Sequence, residues 1–132
     1  MTSYDLIDAV GGPEVMHELM QTFYDRLFDD LMVGFFFANS DKDALVRSQI
    51  AYVHAHLGDR GGDYRGPSIY EAHKHMPILA GHFDRRHQIL QDVLAEFDVP
   101  EPVQKEWLAL DQAMRPMVLR QGREFRRSKG IE

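Results

Sequence analysis

The chain contains no cysteine. That excludes a disulfide framework, a thiolate metal site and a cysteine nucleophile, so any metal or covalent chemistry must rest on histidine, carboxylates or tyrosine. It also favours a reducing compartment, and a cytoplasmic location is the expectation. Long apolar runs are missing as well: the longest, Val33 to Ala38, falls far short of the roughly 18 residues that a membrane-spanning helix needs. Met1 to Ala9 carries Asp5 and Asp8 and no basic start, so no export signal is expected. Positive charge is in short supply, with 15 Lys+Arg against 21 Asp+Glu and a net charge of −6, which argues against generic nucleic-acid binding. Only the stretch from Val118 to Glu132 is basic, and residues 122–132 are expected to form a solvated, frayed tail after a domain spanning 1–121.

β-Branched residues are scarce too, with nine Val, six Ile and two Thr against twelve Leu, ten Ala and seven Met. This vocabulary is helical, and the fold class expected is all-α. At 132 residues the chain buries roughly two thirds of its unfolded surface, enough for one core and at most one enclosed cavity. A two-domain enzyme is excluded.

Breakers divide the chain into helix-sized pieces without an internal repeat. A short piece from Tyr4 to Val10 ends at Gly11-Gly12, and Pro13 sits where a second helix begins. Met16, Leu19, Met20, Phe23 and Leu27 give that helix one apolar face to about Phe28. Gly34 and Phe35-Phe36-Phe37 mark an aromatic turn. Ser40 with Asp43 has the form of a capping box for a third helix running through Leu57, stopped by Gly58. The polar connection from Gly58 to Gly66 holds four glycines but does not match a phosphate-binding loop. Pro67 starts a short helix that ends before Pro77. A longer helix, Leu79 to Phe97, follows; Asp98 to Pro102 breaks the chain, and a last helix reaches about Gln121, kinked or shortened at Pro116.

Seven histidines draw attention first, at positions 17, 54, 56, 73, 75, 82 and 87. Their spacing does not suit a multi-histidine zinc site: His54 and His56 point to different sides of a helix, as do His73 and His75, and His82 and His87 are five apart. A single histidine ligand to a cofactor metal stays open.

The order and spacing of several short pieces carry a resemblance. They are Tyr4-Asp5-Leu6 leading to Gly11-Gly12, Thr22-Phe23-Tyr24-Asp25-Arg26, Phe35-Phe36-Phe37-Ala38, Gly61-Gly62-Asp63-Tyr64-Arg65-Gly66, Glu71-Ala72-His73, Ile78, His82-Phe83-Asp84 and Asp98-Val99-Pro100. From about Tyr4 to Leu119 the chain resembles the truncated haemoglobins, most nearly their first group. The resemblance implies a globin-like two-over-two helical sandwich around haem b.

A porphyrin needs an apolar slot between helices, one imidazole below the iron and a distal wall that repels or hydrogen-bonds a diatomic ligand. By resemblance, His73 is the proximal iron ligand and Phe37 packs flat against the haem. Tyr24 and Gln49 are the distal groups, with Leu45 at the position classically held by the distal histidine and Gln49 one turn further on. A tyrosine hydroxyl and a glutamine amide aimed at bound O2 slow its release, each charge-assisted bond being worth about 1.5 to 3 kcal/mol. Neither Leu45 nor Ser48 is a strong iron ligand, so the sixth position is expected to be open to ligand or water. Tyr52, Val53, Tyr64, Met76, Ile78 and Phe83 resemble positions lining the haem slot, though each also suits plain core packing. Arg47, Ser48, Lys74 and His75 are near enough in sequence to hold the propionates.

One departure stands out. Relatives usually carry an apolar residue or tryptophan where this chain has Arg86, followed by His87. An unpaired buried arginine is very costly, so Arg86 either reaches solvent or a propionate, or pairs with a carboxylate in the pocket.

The resemblance implies reversible binding of O2, CO and NO, with O2 storage, sensing or nitric-oxide dioxygenation as uses. The last needs an external reductase, since the chain has no Gly-x-Gly-x-x-Gly or flavin-binding segment. A monomer or weak homodimer is expected. Two alternatives are a peroxidase-type haem redox protein that uses Arg86 or His87, and a helical interaction module that has lost haem and docks through its basic tail.

Overall fold

The computed structural model describes residues 4–60 and 64–119. Seven α-helices and one 3₁₀ turn make up the described chain: α1 (Leu6–Val10), α2 (Pro13–Asp29), the 3₁₀ turn (Gly34–Phe37), α3 (Lys42–His56), α4 (Ile69–His73), α5 (Ala80–Glu96), α6 (Glu101–Ala113) and α7 (Arg115–Val118). No strand occurs among the described residues, in keeping with the scarcity of β-branched side chains. The expected basic tail and its boundary at 121/122 lie outside the described residues, as do Gly61, Gly62 and Asp63 of the resemblance. None of the described helices is long and apolar enough to cross a membrane.

Two helix pairs, α2 with α3 and α5 with α6, are joined face to face by the packing of α2 on α5. The apolar stripe of α2 is fully buried between them: Met16, Leu19, Met20, Phe23 and Leu27 are at most 1% exposed. Against it lie Val46 and Val53 of α3, Leu90, Val93 and Leu94 of α5, and Trp107 of α6. This is the expected two-over-two sandwich. The short helices α4 and α7 pack on one another and stand over the space that the two pairs leave open.

Local chemistry sets the ends. Pro13 lies in the first turn of α2, where its missing N–H costs no hydrogen bond. The third helix begins one residue later than the sequence suggests. Asp41, not Ser40, is its N-cap, its side chain accepting from the Ala44 N–H at 3.2 Å. Leu57 is its C-cap and Gly58 then turns with φ 62°, because a Cβ there would lie 2.5 Å from the Tyr4 carbonyl oxygen. The short helix starts at Ile69 rather than Pro67, with the Ser68 side chain accepting from the Glu71 N–H at 3.1 Å. Pro102, expected in the break, belongs to the first turn of α6. Pro116 acts as anticipated: the last helix stops at Ala113 and restarts as α7, with Met114 between.

Candidate functional site

A cavity of about 360 Å³ opens between α2, the 3₁₀ turn, α3, α4, α5 and α7, and its walls are mainly apolar and aromatic. Of the residues read from the sequence, Tyr24, Phe37, Leu45, Gln49, Tyr52, Tyr64, His73, Met76, Ile78 and Phe83 all line it. Val53 does not. It is 1% exposed and packed in the core, since one residue past Tyr52 it turns about 100° away around α3. Ser48 is the one propionate candidate on the wall. Lys74 lies 2.7 Å from Glu71, while Arg47 and His75 are exposed.

The aromatic side of the cavity is built by the 3₁₀ turn. Gly34 allows it, since a Cβ there would sit 2.6 Å from the Phe28 carbonyl oxygen. Phe37 consequently stacks on Phe28, centroids 5.2 Å apart, and meets Tyr24 edge-on at 6.2 Å. Across the cavity Tyr52 stacks on His56 at 4.3 Å and meets Tyr64 edge-on at 5.2 Å, while the Tyr64 hydroxyl donates to the Pro67 carbonyl at 2.7 Å.

Two histidines line the cavity, His73 and His82, and their hydrogen bonds separate them chemically. His73 Nδ1 lies 2.7 Å from the Ile69 carbonyl oxygen, which can only accept, so the proton is on Nδ1 and the lone pair of the neutral ring is on Nε2. That is the tautomer an axial metal ligand requires. His82 is the reverse: its Nδ1 accepts from the Leu79 N–H at 3.0 Å, which puts the proton of the neutral ring on Nε2. Among the described residues no three His, Asp or Glu side chains gather into a group able to hold a metal ion, whereas a haem asks for only one imidazole. The cavity fits that group: an apolar slot, flanking rings and one imidazole in the ligating tautomer.

Arg86 also lines the cavity, and it is paired. Its Nη1 donates to Asp111 Oδ1 at 2.5 Å, and the second oxygen of Asp111 accepts from His87 Nδ1 at 2.7 Å. The Asp111 side chain is 2% exposed and that of Arg86 22%, the accessible part lying on the cavity wall. The guanidinium stands 5.1 Å over the Phe23 ring, and its charge acts on the Tyr24 hydroxyl, which lines the same cavity. Burial alone would push the Asp111 carboxyl up, but the Arg86 charge and the hydrogen bonds from His87 and Arg86 outweigh it and hold the group below its usual range. Burial raises the Tyr24 hydroxyl and Arg86 pulls it part of the way back, leaving it a neutral donor. Of the two outcomes open for Arg86, pairing with a carboxylate is the one the fold adopts. Asp111 had not been singled out, yet its placement carried a signal: it shares a helical face with Val103 and Trp107, which are both buried.

Comparison with known proteins now decides the family. A profile of the bacterial-like globins matches residues 5–119. A group 1 truncated haemoglobin of Tetrahymena pyriformis is 31% identical over 101 residues, 76% of this chain and 83% of that protein. The chain belongs to the group 1 truncated haemoglobins. A second truncated haemoglobin of this group, from Mycolicibacterium paratuberculosis, is 26% identical over 113 residues, covering 86% of this chain and 82% of its own length. The solved structure of the Tetrahymena pyriformis truncated haemoglobin in its Fe(III) form superposes with a TM-score of 0.76 at 28% identity, over 86% of this chain and 97% of that one. A 2/2 haemoglobin from Synechococcus sp. shares the fold at 22% identity, with a TM-score of 0.75 over 88% of this chain and 98% of that one. Membership of this family makes the chain a haem globin that binds gaseous ligands.

Proposed function

We propose that the chain holds haem b through His73 and reversibly binds O2, CO and NO, with Tyr24 and Gln49 hydrogen-bonding the ligand. The observation that carries this reading is the hydrogen bond from His73 Nδ1 to the Ile69 carbonyl, which leaves Nε2 as the ligating nitrogen. When bound, the iron porphyrin would supply a redox-active metal able to take a diatomic molecule. The chain's own groups do the rest. Phe37, Ile78, Met76 and Phe83 exclude water from the slot. Tyr24, held neutral by burial, donates from its hydroxyl, and Gln49 adds an amide donor. Leu45 carries no donor atom, so its side chain would not compete with the ligand.

Nitric-oxide dioxygenation, the conversion of NO and O2 to nitrate with one electron supplied per turnover, is a use that this arrangement would suit. No segment of the chain is built to deliver it, so an external reductase is part of the proposal. The cysteine-free composition suits a cytoplasmic protein, acting as a monomer or weak homodimer. Arg86 on the cavity wall favours a second reading, peroxidase-type redox chemistry, because a guanidinium there would stabilise the negative charge that develops as the O–O bond of hydrogen peroxide breaks, with two electrons and two protons per peroxide drawn from an external reductant and solvent. Fast reaction with peroxide together with weak O2 retention would favour it.

The test is the absorption spectrum of wild type and His73→Gly after haem reconstitution and reduction, under air and under CO. A sharp Soret band and a stable oxy form in wild type, with normal ligation lost in the variant, are expected. An unchanged spectrum in the variant removes His73 as the ligand, and failure of both proteins to take up haem removes the reading altogether.

A further inference from the structure

The charge on the cavity wall is of one sign. Among the described residues that line the cavity, Arg86 is the one that is permanently ionised, and no carboxylate stands beside it there. Its counter-ion lies behind it. Asp111 accepts from Arg86 Nη1 at 2.5 Å, is 2% exposed and is not part of the lining. The second Asp111 oxygen is taken by His87 at 2.7 Å, so the carboxylate is fixed from two sides. The pair therefore turns its positive end to the cavity and keeps its negative end within the protein. A guanidinium has five N–H donors, and the hydrogen bond to Asp111 occupies one of them. The Phe23 ring, 5.1 Å away, is a weak acceptor for the rest. A largely buried cation with donors to spare, on a wall that is otherwise uncharged and mainly apolar, has the make-up of an anion receptor. The apolar wall limits the water that would screen the charge, and the remaining N–H groups offer charge-assisted hydrogen bonds.

We propose that Arg86 makes the cavity a binding site for small monovalent inorganic anions, in addition to neutral diatomic gases. The inference rests on the reading of the cavity as the haem slot. Discrimination works through charge: an anion leaving water needs a partner to replace its hydration, which Arg86 supplies, whereas neutral CO gains little from the cation. Asp111 sets the strength. It keeps the guanidinium paired while no anion is present and offsets part of the attraction when one is, so that binding stays reversible.

The test uses the haem-reconstituted full chain in three forms: wild type, Asp111→Asn, and Arg86→Met with Asp111→Asn. The cavity then faces a paired cation, an unpaired cation and no charge. Azide and fluoride probe the ferric form and CO the ferrous form, each titrated through the Soret band; the rate of haem loss to excess apomyoglobin is followed separately. Azide and fluoride should bind about tenfold more weakly to the double variant than to wild type, the loss of one charge-assisted hydrogen bond, and several-fold more tightly to Asp111→Asn. CO affinity should stay within about twofold in all three. Equal azide and fluoride affinities across the three proteins overturn the proposal. So does a CO affinity that falls in step with them, because the substitutions would then have reshaped the cavity. Faster haem loss from the double variant, with azide affinity of its loaded form unchanged, gives Arg86 to a haem propionate instead and overturns the proposal too. Should the double variant not take up haem, Asp111→Asn decides alone: azide affinity equal to or below that of wild type is the refuting result. If wild type itself takes up no haem, the haem reading fails first and this inference falls with it.

Discussion

Removing the carboxylate of Asp111 is the sharpest perturbation the fold offers away from the iron ligand. Asp111→Ala strands the Arg86 guanidinium on the cavity wall and leaves the His87 Nδ1–H without its acceptor. Breaking a buried ion pair by deleting one partner costs about 3–5 kcal/mol. The Arg86 side chain keeps 22% of its surface accessible and water can reach it through the cavity, which places the expected loss at the lower end, about 3 kcal/mol. For a domain of this size that is a fall in melting temperature on the order of 10 °C. Urea and thermal unfolding of the haem-loaded protein, followed by far-UV circular dichroism at fixed haem stoichiometry, measure it. The apolar replacement of both partners, Arg86→Met with Asp111→Leu, should recover to within about 1 kcal/mol of wild type, because no charge is left unpaired. The pH dependence follows from the same group. Its carboxyl titrates lower in the folded protein than its ordinary value of 3.8, so the stability it contributes is complete above that value and is lost as the pH falls through the folded one. The difference between wild type and Asp111→Ala should therefore be flat from neutral pH to about 5 and shrink only in stronger acid. A loss below about 1 kcal/mol for Asp111→Ala, or a double replacement no more stable than the single one, would refute the reasoning.

Two further outcomes can be measured by the same unfolding experiments. Asp41→Ala should cost about 1 kcal/mol through loss of the α3 cap, whereas Ser40→Ala should change stability by only a few tenths, which separates two neighbouring residues of similar capping propensity. Gly58→Ala should cost about 2 kcal/mol or more, since φ is 62° and the added Cβ would meet the Tyr4 carbonyl oxygen at 2.5 Å.

The helices were legible because their stops are covalent facts. Gly11-Gly12-Pro13, Gly58, Pro77 and Pro100 constrain the backbone whatever packs around them, and between them the apolar residues recur with the helical period. Where the reading slipped, two local options were nearly equal and tertiary geometry chose. Ser40 and Asp41 both cap well, and the carboxylate that reaches the Ala44 N–H is set by where the 3₁₀ turn delivers the chain. Pro102 reads as a breaker in a row with Pro100, yet a proline in the first turn of a helix sacrifices nothing. Val53 shows the limit for the cavity: two apolar neighbours on α3 look alike in sequence, but only Tyr52 turns toward the slot.

The distal wall was only half legible, for a different reason. Arg86 and Asp111 each break the pattern of their own helix, a cation beside the buried Phe83 and a carboxylate on the face of Val103 and Trp107. Taken singly, each looks like a fault that the packing must expel toward solvent. They lie 25 residues apart on different helices, and nothing local couples them. The packing of α5 on α6 brings them within hydrogen-bond distance, and each then removes the reason to expel the other. Local rules are broken in this way where a fold keeps a polar group for use, and Arg86 shares the cavity lining with Tyr24. A pair kept only for packing would be replaced by apolar side chains at little loss of stability and with ligand release unchanged; a pair kept for the cavity would survive that replacement as a stable fold with altered ligand release.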